Sequence, residues 1–162
     1  MNRFPIKLRS SGKQASRTRD EQGQTMVEFA IAVPLLLALL TGSVMLGAAF
    51  NKQLELTYAI NAGGQLLSIS RGQTTDPCQT ASQAAYSAAP QLNPSTLKFT
   101  IVLNGTSVTT NSSQPSCSGA QQYLVESQTA QVTATYPCNL NIFGFNPAPS
   151  CTLQAQTTVL IQ

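Results

Sequence analysis

The chain contains no histidine, which removes the imidazole that Ser–His and Cys–His nucleophile pairs depend on. Charged residues make up only 9% of it, against about a quarter in ordinary soluble domains. Beyond the long helical stretch the only acids are Asp76 and Glu126, so there is no paired-carboxylate motif, and no phosphate-binding loop occurs. General acid–base chemistry needs positioned acids and bases, and the sequence argues against an enzyme. The four cysteines include no Cys-x-x-Cys pair. With histidine missing as well, no zinc-type ligand set is expected, and no cofactor is implied. No internal repeat is evident.

The charge that is present is unevenly placed. Residues 1–23 hold Arg3, Lys7, Arg9, Lys13, Arg17 and Arg19 against Asp20 and Glu21, while Lys52, Arg71 and Lys98 face Glu28, Glu55, Asp76 and Glu126 in the remainder. The basic balance therefore belongs to a leader and not to a nucleic-acid-binding surface. A basic segment before an apolar run stays in the cytoplasm, so the C-terminal part is expected outside. Gln, Ser, Thr and Asn carry the polarity there, which suits an extracytoplasmic surface. Cys78, Cys117, Cys138 and Cys151 all follow the apolar run, and an even number on the exported side reads as disulfides.

Composition shifts divide the chain at 1–23, a polar and unstructured leader, 24–72, one long helix, and 73–162, a β-rich domain. Within the helix Phe29–Phe50 is a nearly unbroken apolar run of 22 residues, enough to cross a hydrocarbon core of about 30 Å. Pro34 is expected to kink it by removing a backbone donor. Gly42, Ser43 and Gly47 are small enough for another helix to come close. The second half is amphipathic: Leu56, Ile60, Gly63 and Leu67 recur at helical spacing. Arg71-Gly72 reads as a stop, with a cation in the last turn and glycine beyond it.

After a polar connection, with a short helix expected around Gln79–Ala88, the period becomes two. Strands are expected over Leu97–Asn104, Thr106–Thr110, Ser127–Tyr136 and Thr152–Ile161, with Asn104-Gly105 as a hairpin turn and a loop across 111–121. The fold class is α+β: a long N-terminal helix, transmembrane at first, then a small antiparallel sheet that the amphipathic helix covers on one face. Such a small core benefits from cross-links. Cys138 and Cys151 flank the loop between the last two strands, which favours Cys138–Cys151 and leaves Cys78–Cys117, although four cysteines allow three connectivities. Ile142, Phe143 and Phe145 in that loop would pack under the bridge or meet a partner.

Glu28 stands at the front edge of the apolar run. A carboxylate at the centre of a membrane helix costs roughly 2.5–3.5 kcal/mol, so one so close to the membrane calls for a partner. Residues 1–50 fit a secretory signal with an exit near Gly47-Ala48-Ala49, an uncleaved signal anchor, or a segment cut after Gly23 that keeps its helix. The signal-peptide reading suffers from a core that is too long and an amphipathic face that continues past the supposed exit.

Gly23, Val27-Glu28-Phe29-Ala30-Ile31 and Pro34-Leu35-Leu36 resemble the signature of the TadE-like pseudopilins of the tight-adherence (Flp-type, type IVc) pilus system. That pattern has a glutamate five residues after the cleaved glycine, phenylalanine next, and proline six residues after the glutamate, matched at Glu28, Phe29 and Pro34. The chain departs from it at Gly64-Gln65, where many relatives carry Gly-Ala-Arg. The resemblance implies a pilin-like fold, a cut between Gly23 and Gln24 by a membrane prepilin peptidase, and assembly with other pilin and pseudopilin subunits at an inner-membrane platform. The new amine on Gln24 would pair with Glu28 of the same or a neighbouring subunit. The expected product is a minor pilin in the bacterial inner membrane or the pilus. An uncleaved, membrane-anchored binding or adhesion module is the alternative.

Overall fold

The computed structural model describes residues 17–138, 140, 146 and 148–162, with side chains from Gly23 onward. The chain divides between Val44 and Met45 into two compact units. Helix α1, Arg17–Ser68, contributes to both.

The first unit is described from Arg17 as helix only. Its large apolar side chains are exposed, among them Phe29, Leu36 and Leu40. Thr41 Oγ1 donates to the Leu37 carbonyl and Ser43 Oγ to the Leu40 carbonyl at 2.8 Å. Both hydroxyls are thus satisfied within the helix, as a lipid-facing segment requires. The leader was expected to be unstructured up to Gly23, but helix begins at Arg17. Nothing from Arg17 to Gln22 breaks a helix, and a glycine inside one costs only about 1 kcal/mol relative to alanine. The rest of the expected leader, residues 1–16, lies outside the described residues. The helix also continues through Pro34, which cannot donate to the Ala30 carbonyl.

The second unit packs α1 from Met45, helix α2 (Pro77–Ala88) and a four-stranded sheet. Strands β1 (Lys98–Leu103), β2 (Thr106–Ser112), β3 (Thr129–Pro137) and β4 (Thr152–Leu160) run antiparallel in the order β2-β1-β3-β4. Side chains alternate across the sheet. Phe99, Ile101 and Leu103 of β1 and Ala130, Val132, Ala134 and Tyr136 of β3 point into the core, where Leu56, Ala59, Ile60 and Leu67 of α1 meet them. Tyr86 of α2 meets Phe99 edge-to-face at 5.6 Å between ring centroids. The hairpin turn has Asn104 at φ 48° and Gly105 at φ 74°, and a two-residue type I′ turn needs positive φ at both positions.

Two adjacent glycines let α1 fit. A Cβ at Gly63 would lie 2.8 Å from the Ala81 carbonyl oxygen of α2, and one at Gly64 would lie 2.7 Å from Thr157 Cγ2 of β4. Gln53 Nε2 donates to the Gln154 carbonyl at 2.9 Å, and Gln162 N–H to the Ser68 carbonyl at 2.9 Å. From Gln53 to Ser68, therefore, α1 runs alongside β4 in the same direction.

The structure shifts several expected boundaries. The helix ends at Ser68, so Arg71 is not in its last turn. Arg71 instead pairs with Glu126 at 2.5 Å, while Gly72 does take positive φ. Strand β2 extends to Ser112 across two register shifts, with Asn111 at φ 52° and its N–H bonded to Thr100 Oγ1. A short 3-10 helix, Ala120–Tyr123, closes what was expected to be loop.

Candidate functional site

The residues singled out at the head of the apolar run lie on one helix. Gln24 and Glu28 are one turn apart, and Gln24 Nε2 approaches Glu28 Oε1 at 3.5 Å. Phe29 is 71% exposed. Beyond the helix's own backbone, nothing described lies within 4 Å of a Cβ added at Gly23, Gly42 or Gly47. A helix that began at Gln24 would present four unsatisfied N–H groups and an ammonium at its positive end. Glu28 lies one turn, roughly 6 Å, along from that end.

Farther along, inside the second unit, α1 has two distinct faces. Leu56, Ile60, Gly63 and Leu67 are buried against the sheet and α2, whereas Phe50, Leu54 and Tyr58 remain 68%, 56% and 64% exposed. These three sit at i, i+4 and i+8, one stripe of a helix. The apolar surface of α1 thus outlasts the stretch needed to cross a bilayer. Among the described residues, α1 is the one helix long and apolar enough to do so. Residues 23–65 match the model of the TadE-like protein family. The TadE-like segment begins at Gly23 and takes in the apolar run and the sheet-packing residues Leu56, Ile60 and Gly63, while Leu67 and the β-rich tail lie beyond it. No curated protein and no solved structure gives a significant match. The match spans 43 of the 162 residues, and the TadE-like family it points to is a structural, pilin-like one tied to the tight-adherence pilus. The apolar helix with a domain after it has the form of a membrane anchor.

The disulfides are Cys78–Cys117 and Cys138–Cys151, with Cα–Cα distances of 5.5 and 5.3 Å. The first is tied to a node that sequence reasoning missed. Asp76 caps α2: Oδ1 accepts from the Gln79 and Cys117 N–H groups, each at 3.0 Å, and Oδ2 from Ser116 Oγ at 2.5 Å. Partial burial opposes the charge. The hydrogen bonds from Ser116 and from the backbone of Cys117, Gln79 and Cys78 outweigh it and hold the carboxyl below its ordinary value. Asp76-Pro77 is itself a cap-then-proline start signal, so the node was readable. Asp76, Cys78 and Cys117 are close enough to hold a metal ion, but both sulfurs are bridged and the carboxylate oxygens are already accepting. Ile142, Phe143 and Phe145 lie outside the described residues.

Proposed function

We propose that this chain is a minor pilin or pseudopilin of a tight-adherence type IV pilus, cut after Gly23 by a prepilin peptidase and assembled through α1. The observation that carries this reading is the division of labour along α1. One stripe is consumed by its own sheet, while the stripe from Phe50, at the end of the span, through Leu54 and Tyr58 beyond it stays apolar and uncovered. Among the described residues, no element of the chain covers that stripe, and helices of sister subunits packed side by side would.

Cleavage turns the interior of a helix into its positive end, with the Gln24 ammonium added to the unsatisfied N–H groups. Glu28 then supplies a carboxylate to that end, in its own subunit or a neighbour's. The pair need not stabilise the bundle strongly, since desolvation offsets much of the attraction. Its value is register, because a neighbour stacked out of step leaves a charge unpaired in lipid. Phe29 adds apolar area beside the pair, and Pro34 kinks the helix early in the span. The leader stays in the cytoplasm and the sheet domain is exported.

Intact-mass and N-terminal analysis of protein from membranes and from sheared filaments tests this. A start at Gln24, in filaments, supports it. A start at Met1 in cells with an active prepilin peptidase overturns it and leaves an uncleaved anchored module.

A further inference from the structure

We propose that the sheet domain docks on the anionic phospholipid headgroups of the membrane its own helix crosses, through Lys52 and Lys98. This rests on reading α1 as a membrane anchor and does not depend on cleavage or pilus assembly.

The level of Lys98 follows from the strand register. Lys98 stands opposite Thr135, and Thr135 opposite Gln154. The Gln154 carbonyl accepts from Gln53 of α1, which puts Lys98 at the height of Gln53 along the helix. Gln53 is three residues beyond Phe50, where the apolar run ends, roughly 4–5 Å along the axis. The headgroup layer on each side of a bilayer is roughly 5–8 Å thick. Because β4 rises in the same direction as α1 from Gln53 to Ser68, the start of β1, the end of β3 and the start of β4 lie level with the first residues of α1 in this unit.

Charge is sorted along the same axis. Arg71–Glu126 is the one ion pair among the described residues, and it lies beyond the far end of α1. Asp76 is at that end too, before α2. The two remaining cations of the second unit, Lys52 and Lys98, share the near end. Lys52 lies 6.0 Å from the Tyr136 ring centroid, and Lys98 is exposed with no ion pair. Glu55, the acid at this level, accepts from Asn51 Nδ2 at 3.2 Å and keeps its charge, so Lys52 and Lys98 leave this end with one net positive charge.

Lys98 opens onto a cleft of about 420 Å³ whose other lining includes Ser95, Thr96, Asn111, Thr135 and Thr152. One ammonium among hydroxyl and amide groups suits a single phosphate with its glycerol. A nucleic acid or a polyphosphate would call for an array of cations. Each basic residue at an anionic surface raises the docked-to-undocked ratio about fivefold, enough for two lysines to orient a domain already tethered there.

The chain has no tryptophan, so a single introduced one is a clean reporter. The test places the full chain in nanodiscs and measures quenching by headgroup-labelled lipid of a Gln154→Trp reporter at the near end, outside the cleft lining, and a Thr106→Trp reporter at the hairpin. Quenching of the Gln154→Trp reporter is expected to rise when phosphatidylglycerol replaces part of the phosphatidylcholine, and to fall with salt. The Thr106→Trp reporter is expected to respond to neither. Lys98→Gln lowers the docked-to-undocked ratio about fivefold, and Lys98→Arg preserves it. Quenching that ignores lipid charge, or is unchanged by Lys98→Gln, overturns the docking alone. A chain that fails to incorporate into nanodiscs overturns the anchor reading beneath it.

Discussion

Gly64 and Thr157 are closer than any side chain between them would permit: a Cβ on Gly64 would lie 2.7 Å from Thr157 Cγ2 and 3.3 Å from Val159 Cγ1. The neighbouring Gly63 makes the same approach to backbone, the Ala81 carbonyl oxygen. A threonine methyl can rotate aside, whereas a helix backbone cannot without moving α2. Gly63→Ala is therefore expected to destabilise the domain more than Gly64→Ala. Overpacking costs roughly 1–3 kcal/mol, against about 1 kcal/mol gained from alanine's helix propensity. Denaturant unfolding of the two variants checks the order; equal stability would refute the tight α1–α2 contact.

Asp76 links the cap of α2 to the backbone beside Cys117. Its folded-state carboxyl titrates below the ordinary 3.8, so its contribution is fully present above that value. It is lost as pH falls through the lower folded value. Asp76→Ala is expected to cost about 1–2 kcal/mol at neutral pH, with the deficit shrinking below pH 3.8. Thermal unfolding of wild type and variant across the acid range measures this, and a pH-independent difference would show that the charge plays no part.

The two disulfides close segments of different length, 39 residues apart for Cys78–Cys117 and 13 for Cys138–Cys151. On the chain-entropy account their removal costs about 4 and about 3 kcal/mol. The paired Cys78→Ser/Cys117→Ser variant is expected to melt below the paired Cys138→Ser/Cys151→Ser variant. The burial of Cys78 and its place beside the Asp76 node act in the same direction. The reverse order in calorimetry would count against this ranking.

Glu28→Ala removes a carboxylate from the edge of the apolar run and makes membrane insertion easier, not harder. Membrane levels of the variant should equal or exceed wild type while sheared filaments contain markedly less of it. Glu28→Gln, which keeps the shape and loses the charge, should behave the same way. Quantitative blotting of the two fractions decides it, and normal filament incorporation removes the register role.

Much of this architecture was legible where a pattern is local. Leu56, Ile60, Gly63 and Leu67 recur at the helical period and are buried together; Phe99, Ile101 and Leu103 alternate and face one way; Asn104-Gly105 turns the chain. What escaped depends on residues far apart in sequence. Arg71 reads as a helix-end cation until Glu126 comes to it from 55 positions away. Gly64 stands out in the sequence only as a departure from the family pattern, and its tight fit appears once β4 is laid against it. The bulged end of β2 needs Asn111 at positive φ and the Thr100 hydroxyl beneath its N–H, and no alternation of apolar residues announces that. The start of α1 was misjudged for another reason: basic composition marks a leader for export, but it does not end a helix.

The bridge between Cys138 and Cys151 has a mechanical corollary. A pull that tends to part β3 from β4 passes through the sulfur bond and bypasses the residues that connect them. The bond, and not the residues between the two cysteines, limits how far those strand ends can separate.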